Sequence, residues 1–108
     1  MLQTTIFGKI GSEPVLVPVG SAKVINFSVA NNSTYKDKEG NKQTKTTWID
    51  CALWNNENIF PFLKKGDNVL VQGEISAEAY INKENKPIGT LNLRVAEIEL
   101  AGLAKKEE

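Results

Sequence analysis

Lys23-Val24-Ile25-Asn26-Phe27-Ser28-Val29-Ala30-Asn31 alternates with a period of two and puts Ile25, Phe27 and Val29 on one side of the chain. Successive side chains of a strand point to opposite faces, so this run predicts a strand with one face on a core. The same pattern recurs downstream. Thr47, Ile49, Cys51 and Leu53 form one set, Val69, Val71, Ile75, Ala77 and Ala79 a second, and Leu91, Leu93 and Val95 a third. Upstream, residues 3–10 read as a further strand closed by Gly11. Pro14-Val15-Leu16-Val17-Pro18 can extend that strand after a kink, and its two prolines allow only an edge position.

One segment is expected to be helical. Residues 56–66 offer Asn56 as a cap, apolar Ile59, Phe60, Phe62 and Leu63, then Lys64, Lys65 and a terminating Gly66. Pro61 lies inside it and limits it to a distorted helix of at most two turns. Residues 37–42, with Gly40-Asn41, and residues 82–87 read as polar hairpin tips. Five strands with one short helix between the third and fourth is the order of an all-β OB-fold, a five-stranded, partly open Greek-key barrel. Another small β-barrel or sandwich is the competing architecture. The barrel is assigned to residues 1–102, and residues 103–108, with Lys105-Lys106-Glu107-Glu108, to a short charged tail.

Composition narrows the function. The 108 residues carry 13 basic and 13 acidic side chains, so the net charge is zero. That balance argues against a protein that coats nucleic acid by bulk positive charge, but leaves room for a local basic surface. The distribution is uneven: residues 1–47 hold six lysines against three acids, residues 48–82 two lysines against five acids, and residues 83–108 balance. Histidine is absent and cysteine occurs once, which removes imidazole acid–base chemistry, an internal disulfide and a Cys-rich zinc site. Cys51 falls on the core face with no histidine to activate it, so an inert buried thiol is expected. The spacing of Asp50, Glu74 and Glu78 does not require a metal. No apolar run approaches the roughly 20 residues of a membrane span, and Met1-Leu2-Gln3-Thr4-Thr5 lacks a basic signal-peptide start. The expectation is a cytoplasmic, non-enzymatic domain with no cofactor and no membrane partner.

The faces turned away from the core carry the informative residues. Thr46, Trp48, Asp50, Ala52 and Trp54 lie opposite Ile49, Cys51 and Leu53. In the fourth strand the outward set is Leu70, Gln72, Glu74, Ser76, Glu78 and Tyr80, and Tyr35 sits where the second strand enters the lysine-rich hairpin. If the third and fourth strands are neighbours, one outer surface carries Tyr35, Trp48, Trp54 and Tyr80. Such a cluster points to a binding surface. Nucleobases suit it, because every base has a flat π-face and stacking contributes about 1–3 kcal/mol per base. Lys36, Lys38, Lys42 and Lys45 would then meet phosphates. Taken singly, either tryptophan reads more readily as a second-core residue covered by the helix or a partner subunit, and a few lysines at a hairpin tip as a solvated loop. It is the combination that favours binding.

Several stretches resemble the bacterial single-stranded DNA-binding proteins. They are Gly8-Lys9-Ile10-Gly11-Ser12-Glu13-Pro14, Ile25-Asn26-Phe27-Ser28-Val29-Ala30-Asn31, Tyr35-Lys36-Asp37-Lys38-Glu39-Gly40 and Thr46-Thr47-Trp48-Ile49, followed by residues 62–73. The resemblance covers roughly residues 4–100 and rests on the order and spacing of the pieces. It implies non-sequence-specific binding of single-stranded DNA in replication, recombination or repair, with Tyr35, Trp48, Trp54 and Tyr80 at the family's four stacking positions. It implies a homo-oligomer, a tetramer ahead of a dimer, with residues 5–10 and the Ile49 region as interface. Two departures stand out. Asp50, Ser76 and Glu78 occupy a surface that is basic in the family, which predicts weaker or more salt-sensitive binding. The sequence also ends before the acidic tip that recruits replication partners in the family, so those partners are not expected. The alternative function is an OB-fold protein-interaction or primosomal replication-restart subunit with weak or no DNA binding. The acids favour it, and the aromatics with the lysine-rich hairpin favour DNA.

Overall fold

The alternation of the sequence becomes an alternation of burial. Along 49–53, Ile49, Cys51 and Leu53 are buried while Asp50 is exposed and Ala52 half-buried. The computed structural model describes residues 2–101, so the proposed tail at 103–108 lies outside the described residues. Six strands form one sheet: β1 (Gln3–Ile10), β2 (Val15–Val19), β3 (Ala22–Lys36), β4 (Lys42–Trp54), β5 (Asn68–Ile81) and β6 (Pro87–Ala101). A 3-10 helix, Glu57–Phe62, joins β4 to β5. The order around the sheet is β1-β5-β6-β4-β3-β2. β1 returns to β3 through Lys9 opposite Ala30 and Ile10 opposite Val29, which closes a five-stranded barrel. Only β4 and β6 run parallel. This is the expected OB-fold order.

Closure depends on close approach of two backbones. Gly8 is buried, and a Cβ there would collide with the Ala30 carbonyl oxygen of β3. After Ile10 the chain kinks through residues 11–14 and resumes along β3 with Val15 opposite Asn26. β2 is therefore the kinked continuation of β1, on the sheet edge as its prolines require. The kink is tied to β3: the Gly11 N–H donates to the Ser28 carbonyl (2.8 Å), and the Ser28 N–H to Ser12 Oγ (3.0 Å).

The core gathers Ile10, Ile25, Phe27, Val29, Ile49, Cys51, Leu53, Leu63, Val69, Val71, Leu93 and Val95. Fully burying an aliphatic side chain of this size contributes about 1.5–3 kcal/mol, and no polar side chain is buried among the described residues. Leu63 seals one end of the barrel below the 3-10 helix, with Ile59 and Phe60 packed against the core.

Four expectations are corrected. The short helix is a 3-10 turn that ends at Phe62, before Gly66; Asn56 makes no side-chain cap, and Gly66, at φ +97°, belongs to the turn into β5. Pro61 explains the short form, because its ring cannot fit an α-helical interior. β4 and β5 are not neighbours, since β6 lies between them. Ile49 is 2% exposed and spent on the core, so it is not available to a subunit interface. Tyr35 does not share the outer surface, for a reason of register given below.

Both long hairpins end in the same construction. At the β3–β4 tip, Asp37 Oδ1 accepts from the Glu39 (3.0 Å) and Asn41 (2.8 Å) N–H groups, with Gly40 at φ +83°. At the β5–β6 tip, Asn82 Oδ1 accepts from Glu84 (2.9 Å) and Lys86 (3.0 Å), with Asn85 at φ +65°. Each is a five-residue connection in which an Asp or Asn side chain replaces a backbone acceptor.

Candidate nucleic-acid interface

The ladder places the outward residues of β4, β6 and β5 in rows, because paired residues point to the same face. Ala52, Arg94 and Glu74 make one row, and Asp50, Asn92 and Ser76 the next. Thr90 and Glu78 follow, then Ile88 and Tyr80. Trp48 lies on this face opposite Ala30, and Trp54 opposite Val24. β6 thus serves as the spacer between the tryptophans and Tyr80.

Trp48 is 56% exposed, yet its ring is not free. The indole lies against Gly11 in the β1–β2 kink. A Cβ at position 11 would overlap Cζ3 and stand 3.0 Å from Cη2. The kink therefore abuts the benzo edge of the indole. Trp54 is half-buried. The Arg94 guanidinium carbon sits 5.7 Å from its ring centroid, within cation–π range. Beside this pair opens a cavity of about 520 Å³ lined by Ala52, Trp54, Glu74, Ser76, Asn92 and Arg94.

Tyr80 is 56% exposed on the β5–β6 hairpin. Tyr35, 54% exposed, pairs with Gln43, in step with Phe27, Val29 and Lys45 rather than with Trp48. Strand alternation hence sets it on the opposite face of the β3–β4 hairpin. Lys36 and Lys42 face each other across the ladder in step with Trp48, Lys45 is in step with Tyr35, and Lys38 is in the turn. The structure brings Trp48 and Trp54 onto one strand face with Tyr80 two strands away, and separates Tyr35 from them.

Acids share the aromatic surface. Asp50 and Glu74 are exposed, and Glu78 Oε1 accepts from Asn92 Nδ2 at 3.0 Å. Arg94 was missed in the sequence, although two signals pointed to it: it is the single arginine, and its place between Leu93 and Val95 turns it outward. Cys51 behaves as expected: burial, and secondly the Asp50 charge, push its thiol up to about 12. Among the described residues no three His, Cys, Asp or Glu side chains gather into a metal-binding group, and no helix is long and apolar enough to cross a membrane.

A profile of the Single-strand binding protein family matches residues 1–101. The chain belongs to that family. The family domain is 29% identical over 103 residues to a single-stranded DNA-binding protein of Deinococcus radiodurans, covering 92% of this chain and 34% of that protein. It is 35% identical to one from Chlamydia caviae, covering 67% of this chain and 45% of the relative, and 29% identical to single-stranded DNA-binding protein 1 of Xylella fastidiosa, covering 95% and 77%. The chain thus spans less than half the length of the first two. Among solved structures, the small single-stranded DNA-binding protein of Streptomyces coelicolor superposes with a TM-score of 0.80 at 17% identity, covering 94% of each chain. A Plasmodium falciparum SSB complex with ssDNA superposes at 0.74 and 22% identity, covering 94% of this chain and 95% of that one. At these identities the likeness shows the shared OB-fold.

Proposed function

We propose that this family domain binds single-stranded DNA by stacking bases on Trp48, Trp54 and Tyr80, with Tyr35 as a fourth platform on the β3–β4 hairpin. The observation that carries this reading is Trp48. A large ring braced at its edge by Gly11, and 56% exposed, offers a stacking surface to a base. Lys36, Lys38, Lys42 and Lys45 supply phosphate contacts from the hairpin, and the names of the curated relatives support the same ligand. Replication, recombination and repair are the processes that present such strands, in the cytoplasm of a bacterial cell.

A homo-oligomer is part of the proposal. Among the described residues, residues 3–6 of β1 pair only with β5, which leaves their other edge open until Asn31 Nδ2 donates to the Phe7 carbonyl (2.8 Å) and β3 closes on Lys9, and the Phe7 side chain is exposed. An open edge of this kind accepts a strand of a second copy. A tetramer fits two such dimers, and light scattering of the purified chain counts the subunits.

Titration with oligo-dT under tryptophan fluorescence tests the DNA reading. Strong quenching at low salt is expected, and no quenching would defeat it. Trp48→Ala with Trp54→Ala should weaken binding by about 2 kcal/mol or more, at 1–3 kcal/mol per stacked base, while the strand signal in circular dichroism persists. The acids Asp50, Glu74 and Glu78 favour the protein-interaction alternative, and absence of quenching would move the reading to it.

A further inference from the structure

The cavity beside Trp54 combines an aromatic wall with groups that bind the edge of a base. Glu74 and Arg94 face each other in the ladder. Even so, Lys23–Glu57 is the only ion pair among the described residues, and Arg94 lies over Trp54 instead. Glu74 lines the cavity, is exposed, and makes no side-chain hydrogen bond among the described residues, so its acceptor capacity is open to a ligand there. A carboxylate at this place repels a phosphate. What it can accept is an N–H donor.

The four bases differ there. Guanine presents N1–H and the N2 amino group side by side, a pair of donors that matches the two oxygens of a carboxylate. Thymine has a single N3–H flanked by two carbonyls, which a carboxylate repels. Adenine and cytosine pair one amino group with a ring nitrogen lone pair. Guanine O6 adjoins its N1–H and suits the guanidinium of Arg94. We propose that this cavity is a guanine-preferring base subsite, in which Glu74 sets the preference and Arg94 supports it. The proposal rests on the single-stranded DNA reading and adds a local base preference to stacking that otherwise accepts any base.

The test compares four oligonucleotides of one length by fluorescence titration at fixed salt. One is all thymidine, and three carry guanine, inosine or adenine at every fourth position. Inosine keeps the purine ring and loses the N2 donor, and adenine controls for purine stacking. The guanine oligonucleotide should bind about tenfold more tightly than the inosine and adenine ones, the low end of discrimination by a two-bond base contact. In Glu74→Gln that preference should collapse, and affinity for all-thymidine should rise as the negative charge goes. Equal affinity for the three purine oligonucleotides, with thymidine binding intact, would overturn the subsite and leave the DNA reading standing. A preference that survives in Glu74→Gln would overturn the role of Glu74. Failure of all four to quench would overturn both readings.

Discussion

The Trp48 indole rests on Gly11, so the residue that holds the exposed ring in place is one with no side chain. The contact joins the outer face of β4 to the kink between β1 and β2. It makes the kink a support for the candidate binding surface as well as a link between two strands.

Substitution at Gly11 should therefore act on binding before it acts on folding. Gly11 has no positive φ, so alanine meets no backbone strain there, only the ring. Gly11→Ala should push the Trp48 ring out of its position and weaken oligo-dT binding by part of the 1–3 kcal/mol that a stacked base contributes, with a change in melting temperature of a few degrees at most. Fluorescence titration beside a thermal melt checks this. A large fall in melting temperature with unchanged affinity would show the contact to be structural only.

Counterion release sets the salt dependence. Each phosphate contact to a single strand contributes about −0.7 to the slope of log K against log salt. The four hairpin lysines together allow a slope of about −3, and the acids of the outer face add none. Binding should thus be weak, with a slope no steeper than this. Lys36→Ala with Lys42→Ala should flatten the slope by about 1.4, measured between low and moderate salt.

Cys51 should be silent toward thiol reagents. Its native thiol titrates near 12 against an ordinary 9.0, so it is protonated at pH 8. A disulfide reagent should label the folded protein negligibly and the denatured protein fully. The native state holds its proton more tightly than the unfolded chain, so this residue's contribution is complete below pH 9 and declines as pH rises from about 9 to 12. Cys51→Ala should remove that decline from the pH dependence of urea unfolding.

The β3–β4 tip should loosen in acid. Hydrogen bonds from the Asn41 backbone first, then from Gln43 and Glu39, hold the Asp37 carboxyl below its ordinary 3.8. A lowered native value stabilises the turn above 3.8, and the effect is lost as pH falls through that lower value. The protection of the Asn41 amide, its exchange relative to an unstructured chain at the same pH, should fall there. Asp37→Asn should keep the turn and abolish the pH dependence, because Asn82 already does this work at the other tip.

Period-two alternation made strands and faces legible, because burial follows parity wherever a strand has one wet side. Phe27, Ile49, Cys51, Val71 and Leu93 are all where alternation puts them. Neighbour relations were harder. That β6 separates β4 from β5 is a non-local fact that no local pattern encodes. Tyr35 stands eight residues from Phe27, an even interval that aligns it with the inner phase. The helix failed at its ends, where a six-residue 3-10 segment around Pro61 satisfies its backbone without the Asn56 side chain.

The opposed facing of Tyr35 and Trp48 has a consequence for the path of a ligand. A strand that stacks on both cannot lie flat. It must run along one face of the β3–β4 hairpin, turn its edge and continue on the other, with the lysines of the tip beside the bend. An oligonucleotide just long enough for the two tryptophans is therefore too short for Tyr35. Affinity should then climb with length in two stages rather than one, the second beginning only when the chain can round the hairpin.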